Sequence, residues 1–183
     1  MTKHGSEGTA CAVMTIGHST RTLETFTHLL QVHEVKQVVD VRTVPRSRHN
    51  PQFNRETLPD HLKTAGMEYV HMPGVGGLRH PRAGSENVGW RNASFRGFAD
   101  YMETVEFENH LGKLIELAQE KRTALMCAEV LPWRCHRSLI ADALEVRGIK
   151  ADHILSSTDL QPHRMTPFAR VNGTRLVYPL ETI

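Results

Sequence analysis

The strongest constraint on this chain is an alternation. Short apolar runs that stop abruptly at polar residues take turns with longer stretches whose apolar residues recur every three to four positions. Residues 12 to 16, AVMTI, break at Gly17 as a buried strand ending in a turn would. The stretch RTLETFTHLLQVHE then places Leu23, Phe26, Leu29 and Leu30 on one helical face, with Thr22 as its cap. VKQVVDVR, at residues 35 to 42, is β-branched and suits a second buried strand. A helix is expected in ETLPDHLKTAG, with Pro59 in its first turn and Gly66 beyond its end, and MEYVHM follows as a third strand. SFRGFADYMET and EFENHLGKLIELAQEK are helical in period, TALMCA is a fourth strand, Leu139, Ile140, Ala143 and Leu144 mark another helix, and IKADHI is a fifth strand. Strands joined by helices imply an α/β fold, with a mostly parallel sheet and helices on both faces. Near the end, FARVNGTRLVYP carries Asn172-Gly173 between two β-prone arms and predicts a short C-terminal β-hairpin. We expect a flexible tail over residues 1 to 11 and one α/β domain over residues 12 to 183.

In parallel sheets of this kind ligands bind beyond the carboxyl ends of the strands, and the polar residues gather there. His18 and Ser19 follow the first strand, Asp40 and Arg42 end the second, His71 ends the third, and Cys127 and Glu129 end the fourth. Alternation puts Asp40 and Arg42 on the same side of their strand. Arg42 could take an oxyanion with two donors, while Asp40 or His18 handles a proton. The segment MCAEVLPWRCHRS, residues 126 to 138, holds two of the three cysteines, with Glu129, Arg134, Cys135, His136 and Arg137 around the start of the next helix. A helix start binds anions and lowers thiol pKa values. Three readings of this segment compete. Cys127 is a nucleophile beside arginines that hold an oxyanion; or Cys127, Cys135 and His136 are ligands for Zn or Fe; or the cysteines are small buried hydrophobes.

Charge is unevenly spread. Residues 41 to 55 contain Arg42, Arg46, Arg48 and Arg55 without an acid, and residues 74 to 96 contain Arg79, Arg82, Arg91 and Arg96 against Glu86, which leaves 14 basic and 19 acidic residues elsewhere. Two basic loops on an otherwise acidic chain suit a small anionic substrate. Arginines interleaved with Trp90, Phe95 and Trp133 also raise nucleic acid as a partner, although no nucleic-acid motif is recognisable. From Pro73 to about Asn92 neither period holds, as expected for a binding loop or lid over residues 73 to 93, and Gly76 and Gly77 would let a substrate approach backbone amides. Nothing approaches the apolar run of about 20 residues that spans a bilayer, and three cysteines are too few and too scattered for a disulfide scaffold. We therefore expect a cytoplasmic protein with no membrane partner. The sequence specifies neither an oligomeric state nor a choice between hydrolase and transferase chemistry.

Taken together, TIGHST, VVDVRTVPRSRHNPQFN, YVHMPGVGG, SFRGFADYM and LMCAEVLPWRCHRSLIADAL resemble the prokaryotic family known as domain of unknown function 488, over about Thr15 to Ile154. GVGG departs from the family pattern, which has Leu before the two glycines. The resemblance implies an α/β fold and enzymatic activity, and brings no substrate or cofactor. It points to His18, Ser19, Asp40, Arg42, Cys127, Glu129, Cys135, His136 and Arg137 as the site.

Overall fold

A computed structural model describes residues 12 to 180, so the expected tail at residues 1 to 11 lies outside the described residues. Five parallel strands carry the sheet: β1 (Ala12–Gly17), β2 (Gln37–Asp40), β3 (Glu68–His71), β4 (Thr123–Cys127) and β5 (Lys150–Ile154). Their order is β3-β2-β4-β1-β5, and a short antiparallel strand, β6 (Leu160–Pro162), closes the edge beside β5. That edge strand escapes sequence reading because three residues ending in proline show no period. Proline is tolerated there because an outer edge needs no further ladder donor.

Successive side chains on each strand point to opposite faces, so an uninterrupted apolar run feeds two cores at once. Met14, Ile16, Val38, Ala124 and Met126 pack against Phe26, Leu29 and Leu30 of α1 (Leu23–Val32) and Leu58 and Leu62 of α2 (Leu58–Thr64). Val13, Val39 and Leu125 pack on the other side. Their partners are Phe98 of α3 (Ala93–Met102), Leu111 and Leu114 of α4 (Val105–Glu120), and Leu139, Ile140 and Leu144 of α5 (Arg137–Glu145). Each fully buried aliphatic or aromatic side chain contributes roughly 1.5–3 kcal/mol. The helix boundaries follow local chemistry. Thr22 accepts from Thr25 N, Pro59 sits in the first turn of α2, and Gly66 and Gly148 leave their helices at φ +80° and +75°.

The connections from β1 to β2 and β2 to β3 run toward one edge, and those from β3 to β4 and β4 to β5 run back. Right-handed crossovers then require helices on opposite faces, as observed. The chain leaves the neighbouring strands β1 and β4 in opposite directions, and a crevice opens between their ends. At the C-terminus β7 (Arg170–Asn172) and β8 (Arg175–Val177) form the expected hairpin, one residue out of the expected register. Asn172 pairs with Arg175, so Gly173 and Thr174 make the turn, with Gly173 at φ +62°. Leu176 and Tyr178 join the α3–α5 core. Among the described residues no helix is long and apolar enough to cross a membrane.

Candidate functional site at the ends of β1, β2 and β4

A cavity of about 630 Å³ lies over that crevice, lined from several segments that the sheet brings together. The ladder continues past the strand ends: His18 N donates to Cys127 O and Ser19 N to Ala128 O, both at 2.9 Å. These bonds hold Ser19 at φ +49°, a left-handed conformation uncommon for serine. Gly17 is required here, since a Cβ would collide with the Glu129 carbonyl.

His18, Ser19, Arg42, Arg46, Gly77, Cys127, Glu129, Cys135 and His136 all line the cavity, as does Arg134. Three guanidinium groups therefore face one carboxylate. Asp40, Gly76 and Arg137 do not line it. Asp40 is fully buried behind Arg42, with Oδ1 accepting from Arg42 Nε at 2.9 Å and Oδ2 from Nη2 at 2.6 Å and from the Tyr69 hydroxyl at 2.7 Å. It orients the arginine and is not placed to take a proton from a substrate. Gly76 lies against Thr43, where a Cβ would meet the hydroxyl. Gly77 opens space for His136: a Cβ there would come within 2.5 Å of Nδ1. The glycines thus serve close packing of side chains where the sequence had pointed to backbone contact with substrate.

Arg42 is held on every side. Besides Asp40, it donates to Phe53 O at 2.7 Å and to His18 Nε2 at 3.2 Å, so four of its five N–H groups are taken. Burial alone would lower its pKa, but the hydrogen bonds and charge of Asp40 outweigh that and raise it. His18 stacks on Phe53 at 4.3 Å and donates from Nδ1 to Ser19 O at 2.8 Å, leaving Nε2 as the acceptor for Arg42. Burial, aided by Arg42, lowers its pKa to about 4. A neutral His18 therefore steers Arg42, and neither His18 nitrogen is free for a proton transfer.

The cysteines divide their roles. The Cys127 and Cys135 sulfurs face each other within 4.8 Å, and the interaction between them, together with burial, pushes the Cys127 thiol well up. Cys135 is pushed well down, first by its interaction with Cys127, then by His136 and Arg137, although its burial opposes the shift. His136 donates from Nε2 to Val41 O at 3.1 Å and turns Nδ1 toward Cys135 Sγ at 3.6 Å, and Arg137 Nε donates to the same sulfur at 3.4 Å. Cys135 immediately precedes the N-cap of α5, which adds the partial positive charge of a helix start. Of the two, Cys135 is the cysteine whose neighbours favour the thiolate.

The same three side chains are the metal candidates, and their donor atoms lie within 4.8 Å of one another. The spacing is one that a tetrahedral ion could bridge. An ion there would place its charge beside the Arg137 guanidinium.

The loop from Pro73 to Asn92 reaches the cavity mainly through Gly77, Leu78 and Asn92. Its far part is tied to α3. Asp100 accepts from Arg82 N, Ser85 Oγ and Asn87 Nδ2 at 2.9, 2.6 and 2.8 Å, and fully buried Asn87 accepts from Tyr178 N. Arg96 donates to Trp90 O, and Arg79 donates to Gly74 O and Gly76 O and caps the Tyr101 ring at 3.6 Å. Much of the second basic loop is therefore engaged internally. Phe53 and Tyr69, which hold His18 and Asp40, carry no polar signature by which the sequence would single them out. Register offers one hint, since Asp40 pairs with His71 and Tyr69 lies two positions back along the same face of β3.

Fold and site together define an α/β protein with an arginine-lined, cysteine-bearing cleft at a topological switch point. It belongs to the family described as domain of unknown function DUF488, whose model matches residues 22–144. That span takes in Asp40, Arg42, both site cysteines and Arg137, while His18 and Ser19 lie just before it. No curated protein and no solved structure matches the chain.

Proposed function

We propose that the protein is an enzyme that acts on a small anionic substrate in this cleft, with Cys135 as the attacking thiolate. The observation that carries this reading is the convergence of Cys127, His136 and Arg137 on Cys135 at the floor of a cavity whose charged lining is mostly arginine. A thiolate is the nucleophilic form of cysteine, and here it faces a place where an oxyanion would be attracted. In this reading Arg42, Arg46 and Arg134 hold the substrate oxygens, and Cys135 attacks the phosphorus or sulfur centre that bears them. The new bond to sulfur forms as the bond to the leaving group breaks, and His136, with Nδ1 beside Cys135 Sγ, is placed to pass a proton to the departing group. Glu129, exposed at the rim, is the remaining acid or base. The role assigned to Cys127 from sequence passes to Cys135, because Cys127 is the member of the pair that keeps its proton. A small anion is favoured over a nucleic acid because Arg79, Arg82 and Arg96 are engaged within the protein.

Alkylation by iodoacetamide at neutral pH, mapped by mass spectrometry, tests this reading. Cys135 is expected to react faster than Cys127, inorganic phosphate or sulfate is expected to slow it, and Cys135→Ser is expected to abolish the fast phase. A Cys135 that reacts no faster than Cys127 and ignores both anions would overturn the assignment. One equivalent of zinc or iron in the purified protein, lost in both Cys127→Ser and Cys135→Ser, would replace it with a metal centre.

A further inference from the structure

Arg137 is among the largest fully buried side chains, yet among the described residues its donors reach no carboxylate. Nη2 donates to Glu129 O and Val130 O, Nε to Cys135 Sγ, and Nη1 to Thr15 Oγ1 at 3.2 Å. The Cys135 sulfur is the acceptor that can answer the guanidinium charge, and the other donors need a fixed frame if Nε is to stay on that sulfur. From Thr15 a continuous hydrogen-bonded path leads away beneath α5. Thr15 Oγ1 lies 2.7 Å from His153 Nδ1, His153 Nε2 lies 3.0 Å from His163 Nδ1, and His163 Nε2 lies 2.7 Å from Asp142 Oδ1. Asp142 is fully buried and also accepts from Thr166 N, Thr166 Oγ1 and the Tyr178 hydroxyl, as a carboxylate anion does.

With both imidazoles neutral, one arrangement of protons satisfies every link. Thr166 N–H already donates to Asp142 Oδ1, so that oxygen is an acceptor and His163 Nε2 carries a proton. His163 Nδ1 then accepts from His153 Nε2–H, and His153 Nδ1 accepts from the Thr15 hydroxyl. That leaves the Thr15 oxygen facing Arg137 as an acceptor. Burial above all holds the His153 pKa down to about 3, in keeping with a neutral ring. An arginine does not give up its proton, so this path orients groups and does not conduct protons.

We propose that Asp142, His163, His153 and Thr15 are positioning residues that hold the Arg137 guanidinium against Cys135. The relay fixes the Thr15 oxygen as the acceptor for Nη1 and leaves Nε on the sulfur. The inference rests on the reading of Cys135 as the reactive thiolate. It adds a tautomer requirement that the reading alone does not make. His153 and His163 also line a second cavity of about 330 Å³, beside Trp133 and Phe168, so the far end of the relay lies close to a second opening.

The test combines iodoacetamide alkylation of Cys135 at one fixed neutral pH with nitrogen NMR of the imidazoles, on wild type, Thr15→Ser, Thr15→Val and His163→Phe. Thr15→Ser keeps the hydroxyl and should react within about twofold of wild type, whereas Thr15→Val should slow alkylation about tenfold, as expected when a charge-assisted hydrogen bond loses its alignment. His163→Phe, remote from the sulfur, should slow it less and should release His153 into a mixture of tautomers. In wild type His153 should carry its proton on Nε2. Equal rates in wild type and Thr15→Val, or a proton on His153 Nδ1 in wild type, would overturn the relay while leaving the Cys135 reading intact. A wild-type Cys135 that does not alkylate would end that reading, and the relay with it. The nitrogen spectrum of wild type needs no variant to fold.

Discussion

Two buried arginines flank the cleft and are held in different ways. Arg42 meets a carboxylate, with two donors on Asp40, and itself lines the cavity. Arg137 touches no carboxylate among the described residues and spends its donors on carbonyls, a hydroxyl and the Cys135 sulfur, the one acceptor among them that can answer its charge. The contrast teaches that a buried cation can be fixed by a carboxylate for binding or held by neutral acceptors so that its charge acts on a neighbouring thiol. A carboxylate pair suits the first task. Neutral acceptors suit the second.

Breaking the direct pair should have the largest effect on stability. Asp40→Ala leaves Arg42 buried without its carboxylate and should cost about 3–5 kcal/mol in urea unfolding. Arg137→Met is the sharper half of the comparison. It should cost less, about 1–3 kcal/mol for the hydrogen bonds lost, while removing most of the fast alkylation of Cys135. If the two variants lose equal stability, the distinction between a carboxylate pair and a guanidinium held by neutral acceptors fails. Gly77→Ala should come next. A methyl group within 2.5 Å of His136 must displace the ring, at about 1–3 kcal/mol for overpacking, and should slow Cys135 alkylation by turning Nδ1 from the sulfur.

Acid should act through His18. Its usual value is 6.5 and its folded value is about 4, so the unfolded chain takes up the proton first. Stability from this group is complete above pH 6.5, declines as pH falls toward 4, and then levels off. His153, held near 3, adds a loss that extends slightly lower. Thermal unfolding followed between pH 7 and about pH 4 checks this: His18→Gln should flatten part of the decline that wild type shows, and an unchanged slope would remove His18 from the account. The smallest effects on stability belong to the exposed cavity arginines. Arg46→Ala and Arg134→Ala should each change unfolding by less than about 0.5 kcal/mol, yet each should weaken phosphate protection of Cys135.

Much of the fold was legible because strand and helix periods are local properties. Runs such as VVDV and TALMC announce buried parallel strands, and Thr22, Pro59, Gly66 and Gly148 mark helix ends through their own backbone chemistry. Residues at strand ends were legible as a group, since a parallel sheet aligns those ends whatever its strand order. Their individual roles were not. Asp40 and Arg42 stand two apart in sequence, but that they close on each other, with Tyr69 and Phe53 behind them, depends on β3 lying beside β2 and on the turn at residues 51 to 53 folding back. The choice between Cys127 and Cys135 turned on whether the short 3-10 turn at Pro132–Arg134 would fold the intervening loop so that the two sulfurs meet.

The sequence by itself determined the layered α/β architecture, the alternation that feeds two cores, and the concentration of arginine, histidine and cysteine at one end of the sheet, because each of these follows from residue type and period. Only the tertiary structure decided which cysteine has its sulfur between an imidazole and a guanidinium, why Gly77 must lack a side chain, and that Asp142, His163, His153, Thr15 and Arg137 form one chain. Those facts depend on contacts between residues as far apart as Thr15 and His153, set by β5 pairing with β1. No local pattern encodes a distance through space.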